Sequence, residues 1–230
     1  MRNYHVSASS AARYEYGVEL YEGLARFPET AHAATLVHTI NEALHAQFQK
    51  RVSLVVPVVK ARAALRFADY HKDGVMRSAY HAAQVEAGGR NGALVRAIFP
   101  DGVRAMARSA EPDQAKSIRD VIERLMSSNL AGIDDYRNTW LPKLRAAHAQ
   151  LETAMESYDE ATKAHREAFI KECELRDAHY ETMDRAMGIV REAFPRDRDM
   201  HEVIFPLLQR ARARAEQVEK KAAAMENESL

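Results

Sequence analysis

From Asp134 to Phe194, apolar side chains recur at steps of three and four, and the only proline, Pro142, lies near the start. That period is helical, and nothing shorter than one very long helix accounts for it. A helix with an apolar stripe of this length must hide it against other helices. Trp140, Leu144, Ala147, Leu151, Ala154, Tyr158 and Ala161 make up the first part of the stripe. Further on the apolar set shifts by one position, to Phe169, Cys173, Tyr180, Met183, Met187, Val190 and Phe194. A helix drifts this way against a strict seven-residue repeat, so a globular helix is expected here rather than a regular coiled coil.

A second long helix reads from Val37 through Ile40, Leu44, Phe48, Val52, Val55 and Val59 to about Ala87. Pro57 lies inside it, and a kink is expected there, with Ser53 carrying the carbonyl that loses its partner. A first helix starts at a Ser9 or Ser10 cap, carries Tyr14, Val18, Tyr21 and Leu24, and stops at Phe27-Pro28. Gly88–Gly92 forms a loop, followed by short helices over 93–99 and 103–109. Pro112 sits in the first turn of a helix with Ala115, Ile118, Ile122 and Leu125 on one face, broken at Asn129–Gly132. A last helix is expected over Asp199–Ala224, with Val203, Ile204, Leu207, Leu208 and Ala211 as its buried start and 209–230 partly exposed. The sum is one all-α domain over 1–230, an elongated bundle of about five to seven helices, two of them very long. A 47% apolar content is enough for its core.

Formal charge is zero, with 33 basic and 33 acidic side chains, which argues against a general nucleic-acid binder. The first 110 residues carry 14 Lys/Arg against 9 Asp/Glu and the remainder 19 against 24, so the two halves can neutralise each other. With one cysteine, Cys173, no intrachain disulfide is possible. Met1–Ser10 has no apolar signal core, and the longest apolar run, Leu54–Val59, is far short of a membrane span. A cytoplasmic protein that engages neither membrane nor nucleic acid is the expectation.

A faint duplication is also present. Leu94–Pro100 (Leu-Val-Arg-Ala-Ile-Phe-Pro) matches Ile189–Pro195 (Ile-Val-Arg-Glu-Ala-Phe-Pro), and Ala64-Leu65 before Lys72-Asp73 echoes Ala168-Phe169 before Arg176-Asp177. The reading is two similar helical repeats, 29–110 and 130–208, each burying a stripe it cannot bury alone. With the early Arg13–Leu24 helix, the Lys72-Asp73 and Arg176-Asp177 pairs and the Gly132–Tyr158 start of the long helix, this organisation resembles an uncharacterised bacterial family of two-repeat helical-bundle proteins, a domain of unknown function. The segment Pro100–Asp113 departs from the pattern, being rich in helix breakers. The resemblance implies a fold and no chemistry.

Among polar residues, His38, Glu42 and His45 share one helical face at spacings of four and three. Imidazole and carboxylate suit zinc or iron, and Glu-x-x-His is a di-iron bundle signature, although the second such motif is missing. The trio also flanks the Ile40, Leu44, Phe48 stripe, where polar residues belong. His165, Glu172 and His179 are spaced by sevens; under a strict heptad all three are core, whereas the drift described above keeps His165 near the core and moves the other two to its edge. Residues adjacent on a helix point about 100° apart, so Lys72-Asp73 and Arg176-Asp177 are expected to pair across helices rather than within each pair. Arg210, Arg212, Arg214, Lys220 and Lys221 form a basic tail diluted by Glu216 and Glu219. No phosphate-binding glycine loop, nucleophile elbow, His-Glu-x-x-His or Cys-x-x-Cys is present. No cofactor and no catalytic residue is assigned. The best reading is a non-catalytic interaction or scaffold protein that buries apolar helix faces against a protein partner or in a homo-oligomer. The alternatives are a metal- or small-ligand-binding bundle using His38, Glu42 and His45, and a nucleic-acid or membrane-surface accessory using the basic tail.

Overall fold

The computed structural model describes residues 4–90, 92–102 and 113–206. Among them the fold is all-α, with no strand: α1 (Ser10–Leu24), a 3-10 turn (Pro28–Thr30), α2 (Ala31–Ser53), α3 (Val55–Glu86), α4 (Ala93–Ile98), α5 (Asp113–Ser127), α6 (Ile133–Ala193) and α7 (Arg198–Ile204). No helix of the described residues is long and apolar enough to cross a membrane. The helix expected over 103–109 lies outside the described residues, as do Leu207, Leu208, Ala211 and the basic tail.

The chain packs as two compact units where the sequence reads as one domain. Unit 1 takes Met1–Val55 with Ala164–Leu230, and unit 2 takes Val56–Lys163. Both repeats read from the sequence therefore contribute to both units. The Phe99-Pro100 copy of the shared motif falls in unit 2 and the Phe194-Pro195 copy in unit 1. Val95 and Val190 are both buried, but Leu65 is buried while its counterpart Phe169 is 45% exposed.

In unit 1, Ser9 caps α1 by accepting from the Ala12 amide, as its sequence position suggests. Phe27 is extended before Pro28, and the chain turns there into α2. The Thr30 hydroxyl donates to the Leu24 carbonyl (2.6 Å), tying the end of α1 to the start of α2. Leu20, Leu24, Ala33, Val37, Met183 and Val190 form the centre of an apolar core. Phe27, Phe194 and Phe205 all pack on that core, and each precedes a proline. Phe205 is extended before Pro206, which is why α7 stops at Ile204; the rest of the helix expected to Ala224 lies outside the described residues. Within α7, Ile204 is buried as expected and Met200 packs against the core, but Val203 is 69% exposed, so that part of the expected buried start is corrected.

Unit 2 is held by two apolar clusters. One joins Met76, Ala83, Phe99, Ile118, Leu125 and Leu144; the other joins Leu65, Ala68, Leu151 and Ala154. α3 ends in a Schellman motif: Gly89 N–H reaches the Gln84 carbonyl (2.8 Å), Gly88 N–H reaches Val85, and Gly88 has φ 70°. The disruption expected from Pro57 is present one turn upstream of it, beside Ser53, whose carbonyl can take no hydrogen bond from the proline. The interruption falls at Leu54, between α2 and α3, which leaves Pro57 in the first turn of α3, where a missing N–H has least to lose. Pro142 lies inside α6, which begins upstream at Ile133, next to the expected Asp134. Tyr136, buried and bonded to the Ala79 carbonyl (2.7 Å), and Arg137, bonded to the Leu125 and Ser128 carbonyls, hold those first turns.

The largest correction concerns the inner face of α6. After Ile133 and Tyr136 in its first turn, its buried positions are Leu144, Ala147, Leu151, Ala154, Ala168, Glu172, His179, Met183, Ala186 and Val190, with Tyr158, Ala161 and His165 half-buried between them. The stripe keeps its seven-residue register through His179 and does not shift to Phe169. Glu172 and His179 are fully buried, and His165, expected nearest the core, is the one left at the margin. α1 likewise buries polar residues: its buried positions are Ser10, Arg13, Tyr16, Gly17, Leu20 and Leu24, while Val18 is exposed.

Candidate functional site

The sequence-selected trio sits on α2. His38 and Glu42 are exposed and His45 is half-buried. His45 stacks on the Tyr14 ring of α1, centroids 4.0 Å apart, and His38 lies against Tyr21 at 5.0 Å. Both imidazoles thus cover tyrosine faces of the neighbouring helix. Among the described residues no group of three or more His, Cys, Asp or Glu side chains is placed to hold a metal ion.

The geometry instead gathers polar groups inside unit 1. His179 lies between the Tyr4 hydroxyl (2.6 Å from Nδ1) and Asn41 Oδ1 (3.1 Å from Nε2). Asn41 Oδ1 can only accept, so Nε2 carries a hydrogen, and in the neutral imidazole Nδ1 then accepts from the Tyr4 hydroxyl. Tyr4 in turn accepts from Arg13. Arg13, buried, also donates to the carbonyls of Arg176 (2.6 Å), Ala8 (3.0 Å) and Val6, strapping the segment before α1 onto the bundle. Burial, with the Arg13 charge adding to it, pushes His179 down to about 4. Burial pushes Tyr4 well above the usual phenol range, although Arg13 opposes it. Gly17 makes room for this layer, because a Cβ there would overlap the Asn41 carboxamide.

Toward the α2 end of unit 1 lies Glu172. It accepts from the Ser10 hydroxyl and from Arg51 and Arg176 (2.8 Å), and Arg176 also bonds Ser10 (2.7 Å). Burial raises its pKa, but the bonds from Ser10 and Arg51 and the charges of Arg51 and Arg176 outweigh that, and the carboxyl sits below its ordinary value. No buried side-chain polar atom of these two clusters is left without a hydrogen bond, which is the pattern of a layer that fixes helix register. Arg176 pairs with Glu172 one turn away. In unit 2 the buried Lys72 pairs with Asp69 (2.8 Å) and with its own neighbour Asp73 (3.1 Å). The expected pairing across helices is thereby corrected: the lysine stem is long and flexible enough to bend back over the 100° between adjacent residues.

A different feature reaches the surface. On α3, Val56, Val59, Ala63, Phe67 and Tyr70 fall within an arc of about 80° at ~100° per residue. This arc faces away from the buried Leu65, Ala68, Lys72 and Met76. Val56, Val59, Phe67 and Tyr70 are 55%, 54%, 63% and 74% exposed. α3 therefore carries two apolar stripes, one inside the unit and one outside. Sequence reasoning joined Val52, Val55 and Val59 to the core as one unbroken row with Leu44 and Phe48; the helix is interrupted at Leu54, and all three are exposed.

No protein family, characterised protein or solved structure matches this chain. Its site is therefore judged on its own geometry.

Proposed function

We propose that this chain is a non-catalytic, cytoplasmic interaction protein that buries the outer stripe of α3 against another helix, in a partner or in a second copy. The observation that carries the reading is the row Val56, Val59, Phe67 and Tyr70, each more than half exposed on one helix face. Such rows are uncommon on surfaces that meet only water, because contiguous apolar area marks a binding site. Burying the remaining half of each side chain contributes roughly 1 kcal/mol apiece. A similar amount from the partner, set against an association cost of ~4–15 kcal/mol, gives a reversible complex rather than a permanent one. The two-repeat reading belongs to the same proposal, with duplicated helices supplying long faces for assembly.

The test is position-specific photocrosslinking in cells that make the protein. A photoreactive phenylalanine analogue at position 67 or 70 is expected to give an adduct of discrete mass. The same probe at the exposed Glu156 of α6 should not, and Val59→Asp should abolish the adduct. A signal at 67 and 70 no stronger than at 156 would contradict the reading.

A further inference from the structure

The charges beside the stripe say what kind of helix it fits. Between Val55 and Ala68, α3 carries three charged residues, Lys60, Arg62 and Arg66, and all are basic. All three are exposed, and among the described residues none of them makes an ion pair. By helical position Arg66 borders the stripe on one edge and Lys60 on the other, with Arg62 a step further out. The nearest acids on the helix, Asp69 and Asp73, are turned to the buried Lys72. The outer seam is thus apolar along its centre and basic along both margins.

Resting on the interaction reading above, we infer that the occupant is an amphipathic helix with acidic margins. Charges flanking a helix–helix seam select partner and orientation, and like charges across it repel. A second copy of α3 laid along this stripe would bring only cations beside the seam over Val55–Ala68, which disfavours self-pairing. An arc this narrow is the width of a single-helix seam, whereas a helix lying in a lipid interface needs a broader apolar face. An acidic helix satisfies both the centre and the edges.

Two labelled synthetic helical peptides that share one leucine seam provide the test, one flanked throughout by Glu and the other by Lys. Both are titrated with the full chain and followed by anisotropy. The Glu-flanked peptide is expected to bind about tenfold or more tighter at low salt, with the gap closing as salt rises. The triple variant Lys60→Glu/Arg62→Glu/Arg66→Glu, its helicity checked by circular dichroism, is expected to reverse the preference. Equal affinity for the two peptides would overturn the inference. So would a solution dimer that Phe67→Asp makes monomeric, which would name a second copy, or binding to vesicles containing anionic lipid without peptide preference, which would name a lipid surface. Each of these leaves the outer stripe as an interaction surface. If Phe67→Asp leaves the Glu-peptide affinity unchanged, it is the underlying reading that fails.

Discussion

Glu172→Ala is expected to destabilise the protein by about 3 kcal/mol, the low end of what breaking a buried ion pair costs. The carboxylate has no exposed surface and holds Arg51, Arg176 and Ser10 together. Removing it leaves two guanidinium groups without their counter-charge and the Ser10 hydroxyl without its acceptor. The value stays at the low end because Arg51 and Arg176 are 22% and 25% exposed and can turn toward water. Urea unfolding at neutral pH measures it, with Glu172→Gln, which keeps the shape and one acceptor oxygen, expected to lose less. A loss under about 1 kcal/mol for the alanine variant would place Glu172 in a wet surface site instead.

Acid is expected to weaken the fold through His179 at a milder pH than through Glu172. His179 has an ordinary value of 6.5 and is held at about 4 in the folded chain. Between those values the unfolded chain binds a proton that the folded chain refuses, so stability falls as pH falls. The contribution is intact above pH 6.5, declines through the window, and is fully lost below pH 4. Between pH 7 and pH 5 the loss is about 2 kcal/mol, and over the whole window about 3 kcal/mol. The Glu172 carboxyl, lowered from 4.5, adds its own loss only at more acidic pH. Comparing pH 7 with pH 5 therefore isolates the imidazole. Denaturant midpoints at the two pH values should differ for the wild type and converge for His179→Gln. A wild type equally stable at both would mean that the imidazole is solvated rather than enclosed by Tyr4 and Asn41.

The helical frame was readable because it depends on period and punctuation. Ser9 caps α1, Phe27-Pro28 and Phe194-Pro195 close helices, and the glycines after Glu86 end α3, each by a local backbone rule that needs no tertiary knowledge. The facing of the helices was harder to read. An apolar stripe is found by looking for apolar residues, so a core position held by Glu172, His179, Arg13 or Asn41 is discarded and the stripe is redrawn through its neighbours. Phe169 and Val18 entered the expected core that way, and both are exposed. The seven-residue spacing of His165, Glu172 and His179 was the available signal. It was set aside because the apolar row was redrawn through Phe169, which moved Glu172 and His179 to the edge; the partners that let them be buried come from α1 and α2 and do not show in the spacing. The trio His38, Glu42 and His45 was conspicuous for its chemistry, but spacing alone could not show that tyrosines of α1 lie against both imidazoles. Of the outer stripe of α3 only Val59 was read from the sequence, and it was placed in the core, since a repeat of three and four does not say which side of the helix faces water.

The two-sided character of α3 is tested most directly by equilibrium unfolding of the isolated protein carrying Phe67→Asp, beside Met76→Asp on the opposite face. Met76 is 2% exposed in the unit 2 core, and a carboxylate there is expected to remove several kcal/mol or prevent folding. Phe67→Asp is expected to fall within about 0.5 kcal/mol of the wild type, as for a surface substitution. A loss of about 2 kcal/mol or more at Phe67 would mean that the chain already covers this stripe with itself, and that no face is left to offer a partner.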